Sequence, residues 1–77
     1  MEAEEALGQA LRELRLHKKW SQETLAFEAE VDRNYISLLE LGRNSPSLKM
    51  IFKLCAALDA KPWEIIRDVE RRLDESE

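Results

Sequence analysis

Residues 33–38 combine side chains that can recognise the edges of nucleic-acid bases. Arg33 carries a planar guanidinium whose terminal donors suit O6 and N7 of guanine, and Asn34 offers the donor and acceptor that suit N6 and N7 of adenine. Ser37 can donate or accept, and Leu38 can contact a thymine methyl group. At helical spacing these four residues share one face, whereas Ile36 lies on the opposite face. The alternative interpretation of Arg33 and Asn34 is the ordinary solvated polarity of a first helical turn.

These side chains can act together only if the helix that carries them begins at a fixed place, and the sequence marks two such starts. Ser21 and Asp32 are good N-cap residues. Each cap is flanked by the apolar pair of a hydrophobic staple, Trp20 with Leu25 and Val31 with Ile36. The pattern predicts two short helices, with a helix-turn-helix over about residues 21–42. Glu30 in the connection would adopt positive φ, at a cost of roughly 1 kcal/mol.

Apolar residues recur at helical spacing on three further segments, which predicts an all-α protein of five helices in a single domain over residues 1–77. The first segment covers residues 3–17. The second begins after the cap Ser47. The third begins at Pro62, which suits a first helical position, and runs to about residue 73. The inward positions of the second segment are predicted to be Leu48, Ile51, Leu54, Cys55 and Leu58.

Composition argues against several classes of protein. With one cysteine and one histidine, the chain cannot form an internal disulfide or close a tetrahedral zinc site, so we expect neither a metal nor a cofactor. No nucleophile–base pair, carboxylate dyad or phosphate-binding glycine loop is visible, so we expect no catalytic residues and no enzyme. The absence of a long apolar run and of a signal sequence, with a lone thiol, predicts a cytoplasmic protein with no membrane partner.

The net charge of −4 is unusual for a protein that binds nucleic acid, but the acids lie at the two ends. Residues 1–8 carry three acids and no bases, and residues 54–77 carry seven acids and four bases. Residues 9–53 carry eight bases and six acids. The middle of the chain can therefore present a basic face.

A second copy of the chain is the simplest source of extra stability for so short a protein. A chain of 77 residues buries only roughly 60% of its unfolded surface. The apolar side chains that we expect at a homodimer interface are Phe52, Trp63, Ile66 and Val69. The alternative is that the last helix folds back on the first, against Ala3, Ala6 and Leu7.

Four segments together resemble the Cro/C1-type (Xre) helix-turn-helix family: SQETLA, VDRNYISLLELG, RNSPSL and LCAALDAKP. The resemblance covers about residues 7–66. The combination of DRNYIS with a following GRN is most similar to the controller proteins of restriction–modification systems. The resemblance implies a compact five-helix fold of the lambda-repressor-like type, in which the second and third helices recognise DNA.

The resemblance also implies roles for individual residues. It places base contacts at the four residues of positions 33–38 named above. It places backbone phosphate contacts at Gln22 and at the loop residues Arg43, Asn44 and Ser45, and an ion pair between Arg15 and Glu40. From their own chemistry we add two backbone contacts: Tyr35, through its hydroxyl, and Lys49, for which a solvated surface lysine is the alternative.

We therefore expect a regulator that binds double-stranded DNA as a homodimer on a palindromic operator, either as a repressor or as an activator. RNA polymerase is a further candidate partner, and we expect no small-molecule ligand. The alternative is a helix-turn-helix used for protein contact, as in an antitoxin or the partner of an anti-repressor. The acidic ends and the low overall charge favour that alternative.

Overall fold

Helices account for most of the chain in the computed structural model, which describes residues 1–76. In that part of the chain there are five helices and no strand, which confirms the all-α prediction. They are α1 (Ala3–His17), α2 (Gln22–Ala29), α3 (Arg33–Glu40), α4 (Leu48–Leu58) and α5 (Pro62–Glu75). Glu77, the last residue of the predicted domain, lies outside the described residues.

Side-chain caps begin the three central helices where the sequence predicts. The Ser21 hydroxyl accepts from the Thr24 amide at 3.0 Å, and the Asp32 carboxylate accepts from the Asn34 amide at 2.7 Å. The Ser47 hydroxyl accepts from the Met50 amide at 3.1 Å. Each bond satisfies one of the amides that a helix start leaves without an intrahelical partner. The caps therefore fix the positions at which α2, α3 and α4 begin.

A residue with positive φ follows several of the helices. Glu30 has φ of 57°, as the sequence predicts for the connection between α2 and α3. Lys19 and Asp59 also have positive φ, which we did not predict, and Gly42 after α3 has φ of 75°. The Lys53 ammonium donates to the carbonyl oxygen of Glu30 at 3.4 Å. This contact lets α4 hold the strained end of α2.

One apolar core lies between the helices, and α2 and α3 meet inside it. Its fully buried larger side chains are Leu25, Ile36, Leu39, Leu54 and Cys55. Burial raises the pKa of the Cys55 thiol, because desolvation disfavours the thiolate. Ile36 and Leu39 anchor the inward face of α3 in this core.

A glycine sets how closely α1 approaches α3. A Cβ added at Gly8 would meet the carbonyl oxygen of Leu39 and would lie 2.9 Å from that of Glu40. Both oxygens belong to the last turn of α3. The absence of a side chain at Gly8 thus allows α1 to pack against the carboxyl end of α3.

The last helix packs against the first, as the alternative interpretation held. Ile65 and Val69 are buried in the core of a single chain. The assignment of Val69 to a dimer interface is therefore wrong, because its side chain already faces α1 and α4 within the same chain. Arg72 of α5 adds an ion pair to Glu13 of α1.

The helix α5 extends to Glu75, two residues past its predicted end. Arg71 pairs with Asp68 and with Glu75, and Arg72 also pairs with Asp68, all at helical spacing. Burial tends to raise the pKa of Asp68, but hydrogen bonds from both arginines outweigh it and lower the pKa overall. Such pairs, three and four residues apart, stabilise the last turns of α5.

The prediction that Leu48 faces inward is wrong. Its side chain is 69% exposed, whereas Ile51, Leu54, Cys55 and Leu58 are buried as predicted. Leu48 is the first residue of α4, and helical side chains lean toward the amino end. Its side chain therefore projects past the core into solvent.

Candidate nucleic-acid interface

The face of α3 opposite the core is open to solvent. Arg33, Asn34 and Leu38 are exposed and Ser37 is half-buried, while Ile36 and Leu39 beneath them are fully buried. The helix is therefore held on one side and free on the other. This arrangement presents the four predicted base-contacting side chains together on one surface.

A buried ion pair ties the end of α3 to α1. Arg15 Nε lies 2.7 Å from Glu40 Oε2, and its Nη2 donates to Glu40 Oε1 at 2.9 Å. The two side chains are only 9% and 5% exposed. Arg15 also donates to the carbonyl oxygen of Trp20 at 2.8 Å. The hydrogen bond that Arg15 donates to Glu40 raises the pKa of Arg15, so the guanidinium remains charged. This is the pair that the family resemblance implies.

Gln22 joins the same cluster. Its side-chain amide donates to Glu40 Oε1 at 3.0 Å. One of the two N–H groups of this amide is therefore engaged within the protein. The second N–H and the partial exposure of the residue leave the predicted phosphate contact sterically open. Gln22 therefore links the first turn of α2 to the last residue of α3.

The loop after α3 carries the other predicted backbone contacts. Arg43 and Ser45 are exposed and Asn44 is half-buried. The Arg43 amide donates to the carbonyl oxygen of Leu38 at 3.0 Å, which closes the end of α3 and starts the loop. Lys49, in the first turn of α4, is exposed. These groups follow directly on the helix that carries the base-contacting residues.

Tyr35 is placed differently from its neighbours. Its ring is half-buried against the core, and desolvation raises its pKa. The ring therefore packs against the core. Because the pKa is raised, the phenol stays neutral, and its hydroxyl remains available as a hydrogen-bond donor. This fits a backbone contact from the edge of the surface rather than a base contact.

An acidic neighbour of Arg33 is a residue that sequence reasoning missed. Glu23 Oε1 lies 3.8 Å from Arg33 Nε, and the side chains are 78% and 57% exposed. Glu23 belongs to α2 and Arg33 to α3, so the pair depends on the angle between the two helices. No local sequence signal reports such an angle.

The outer face of α2 is a second feature that sequence reasoning missed. Phe27 is 80% exposed, and Glu23, Glu28 and Glu30 around it are also exposed. The run FEAE contains this signal, because an aromatic among acids on a polar face has no core role. We call these four residues the α2 acidic face.

Three of the four residues assigned to a dimer interface remain accessible. Phe52 of α4 and Trp63 and Ile66 of α5 are each about half exposed. These side chains lie on α4 and α5, two helices that contact each other. Their exposure leaves them available to contact a second copy of the chain.

The chain from residue 1 to residue 76 contains no group of three or more His, Cys, Asp or Glu side chains that could hold a metal ion. None of its helices is long and apolar enough to cross a membrane.

Comparison with known proteins gives a consistent set of matches. The HTH_3 helix-turn-helix family model matches residues 11–66. The control protein C.BamHI of Bacillus amyloliquefaciens is 43% identical over 60 residues, which are 77% of this chain and 74% of that protein. The crystal structure of the restriction–modification controller protein C.AhdI from Aeromonas hydrophila is 48% identical with a TM-score of 0.78, covering 80% of this chain and 94% of that one. The clp gene regulator ClgR from Corynebacterium glutamicum is 30% identical with a TM-score of 0.93, covering 99% of this chain and 81% of that one.

Proposed function

Because the chain belongs to the HTH_3 helix-turn-helix family, as its resemblance to Cro/C1-type proteins indicated, we propose that it is a sequence-specific regulator of the restriction–modification controller kind. The family consists of DNA-binding regulators rather than enzymes. The observation that carries the proposal is α3. Its outward face carries the side chains that can recognise bases. Its inward face is buried, and its end is held by the Arg15–Glu40 pair.

In the proposed complex, α3 enters the major groove, which admits one helix. Arg33 donates to O6 and N7 of guanine, and Asn34 bonds N6 and N7 of adenine. Ser37 and Leu38 contact the next bases along the groove. The polar groups around α3 hold the flanking phosphates and set the register: Gln22, Tyr35, Arg43, Asn44, Ser45 and Lys49.

A homodimer completes the proposed site, because one helix contacts only a few base pairs. Two copies related by a twofold axis would place their α3 helices about 34 Å apart on a palindromic operator. The accessible apolar side chains Phe52, Trp63 and Ile66 support this assembly.

The experiment that tests base recognition is selection of bound sites from random duplex DNA, with the natural chain and with Arg33→Ala. We expect a palindromic consensus for the natural chain. Arg33→Ala should lose preference at one symmetric pair of positions and bind about 5- to 150-fold more weakly for each half-site, since a bidentate contact contributes about 1–3 kcal/mol. An unchanged consensus would remove Arg33 from the base-contacting set.

Arg12→Ala is the matched control for this selection. Arg12 is an exposed arginine of α1 beside Arg72, and it has no place in the proposed interface. Its removal changes the net charge by the same amount. The consensus should be unchanged for this variant, so that any lost position in Arg33→Ala reports a base contact.

RNA polymerase contact belongs to the same proposal. In this motif the first helix, here α2, crosses the DNA backbone. The α2 acidic face would then lie at the edge of the complex, where it would face a protein bound to adjacent DNA. Phe27→Ala combined with Glu28→Gln should lower transcription activated in vitro while operator affinity stays within about two-fold, since neither side chain is placed at the DNA. Equal activation by the variant and the natural chain would rule out this face.

A protein-contact module is the second candidate, and the α2 acidic face is the observation that favours it. Salt dependence separates the two candidates. A DNA-binding protein loses affinity as salt rises, with a log–log slope of about −0.9 for each phosphate contacted. Absence of DNA binding at low salt would favour the protein-contact module.

A further inference from the structure

Glu23 stands beside the arginine that would recognise guanine, although a carboxylate next to DNA is repelled by phosphate. From this we infer that Glu23 is a positioning residue that sets the base specificity of Arg33. The inference rests on the proposed function, because it requires Arg33 to contact DNA. Glu23 itself need not touch the bases.

The geometry of the pair leaves the recognition end of Arg33 free. The contact is made to Nε, at 3.8 Å from Glu23 Oε1. The guanidinium has five donors in a fixed plane, and guanine is recognised by a pair of them. A carboxylate beside Nε leaves the outer N–H groups of the two terminal nitrogens available to a guanine. One carboxylate can therefore orient the side chain without occupying the atoms that recognise the base.

The same carboxylate works against binding to random sequence. An exposed arginine at the start of a helix can swing to the nearest phosphate of any duplex, which adds affinity without selectivity. Glu23 competes for Arg33 and repels that phosphate. At a guanine the guanidinium stays beside Glu23 and gains two hydrogen bonds. Glu23 therefore weakens non-specific binding more than specific binding.

The size of the effect is limited by solvent. Both side chains are more than half exposed, and exposed ion pairs shift an equilibrium by about two- to five-fold. We expect this change to appear in the ratio of specific to non-specific affinity. Folding should be unaffected, because neither side chain is part of the core.

The test measures binding of four proteins: the natural chain, Glu23→Gln, Arg33→Ala and the double variant. Three duplexes serve as probes: the selected operator, the operator with the guanine pair contacted by Arg33 replaced at both symmetric positions, and random-sequence DNA. We expect Glu23→Gln to bind random DNA at least about two-fold more tightly and to lose about two- to five-fold in the preference for the operator over its substituted form. Its salt slope on random DNA should steepen by about 0.9 for each arginine released to a phosphate.

Glu28→Gln is the matched control, because it removes the same charge from an exposed position on the same helix. It should change affinity for all three duplexes by a common factor and leave the operator preference intact. In the Arg33→Ala background, Glu23→Gln should have no effect on that preference. Thermal unfolding of Glu23→Gln should match that of the natural chain.

The outcomes separate the inference from the proposed function. If Glu23→Gln strengthens binding to all duplexes equally, Glu23 is only a repulsive charge and the inference is overturned, while the function stands. If Glu23→Gln lowers the preference equally with and without Arg33, Glu23 acts on the base by another route, and the positioning role is again overturned. If Arg33→Ala leaves the preference intact, Arg33 does not recognise the guanine. The proposed base contact of Arg33 is then wrong, and with it the inference about Glu23.

Discussion

At the scale of single residues, Glu40 stands out as a buried carboxylate that requires several hydrogen-bond donors. It accepts hydrogen bonds from two nitrogens of Arg15 and from the amide of Gln22. These three contacts bring α1, α2 and α3 to one carboxylate. Since buried charges are tolerated only with such partners, the cluster specifies how the three helices meet.

Removing this carboxylate should leave Arg15 charged and buried. We expect Glu40→Ala to lower the free energy of unfolding by about 3–5 kcal/mol, the effect of breaking a buried pair by deleting one partner. Urea denaturation followed by circular dichroism would measure it.

Two further variants make the Glu40 result interpretable. Glu75→Ala breaks the exposed pair with Arg71 and should lower the free energy of unfolding far less than Glu40→Ala does. Replacing Arg15 and Glu40 together by methionine should recover much of the stability lost by Glu40→Ala, because no charge is left unpaired. Equal losses for Glu40→Ala and Glu75→Ala would contradict the buried role.

At the scale of elements, the connection between α2 and α3 is strained. Glu30 holds positive φ, a conformation that glycine adopts without penalty. Glu30→Gly should therefore raise the free energy of unfolding by about 0.5–1 kcal/mol, measured by urea denaturation.

Asp59→Gly is the control for this strain. Asp59 ends α4 with nearly the same backbone conformation, at φ of 54°. Aspartate tolerates that conformation better than glutamate, so its gain should be smaller. A loss of stability in Glu30→Gly would show that the side chain makes a compensating contact at the turn.

The element starts were predictable because caps act locally. Ser21, Asp32 and Ser47 each bond an amide two or three residues ahead, which the sequence alone reveals. The inward faces of α2 and α3 followed from periodicity. The Arg15–Glu40 pair was accessible only through family resemblance, because 25 residues separate its partners.

What could not be predicted depends on how helices are arranged in space. The same apolar stripe of α5 could have packed on α1 or on a second subunit, and Val69 was assigned wrongly for that reason. The contact of Glu23 with Arg33 and that of Gln22 with Glu40 depend on the angle between α2 and α3. Leu48 fits the stripe of α4 but lies beyond the end of the core.

At the scale of the whole molecule, the proposed DNA-binding unit is two chains rather than one. Ile66→Glu places a charge at one of the exposed apolar residues of α4 and α5 that we assign to the dimer interface. We expect it to weaken dimerisation by at least about ten-fold, because an unpaired charge at an interface costs more than 1.4 kcal/mol. Sedimentation equilibrium would measure the change.

Phe27→Glu provides the comparison for the dimer. It introduces the same charge at an exposed apolar residue on α2, outside the proposed interface. Its dimerisation should match that of the natural chain. If Phe27→Glu dissociates the dimer and Ile66→Glu does not, the interface lies on α2 instead.

Because Cys55 is buried, its rate of alkylation can report how often the core opens. It is the only thiol in the sequence, it is fully inaccessible, and its reactive thiolate form is disfavoured. An alkylating reagent reaches the sulfur only when the core opens, so the alkylation rate measures the opening equilibrium without an added label. Operator DNA that binds only the closed form should slow that rate, and the degree of slowing would give the occupancy of the folded, bound state.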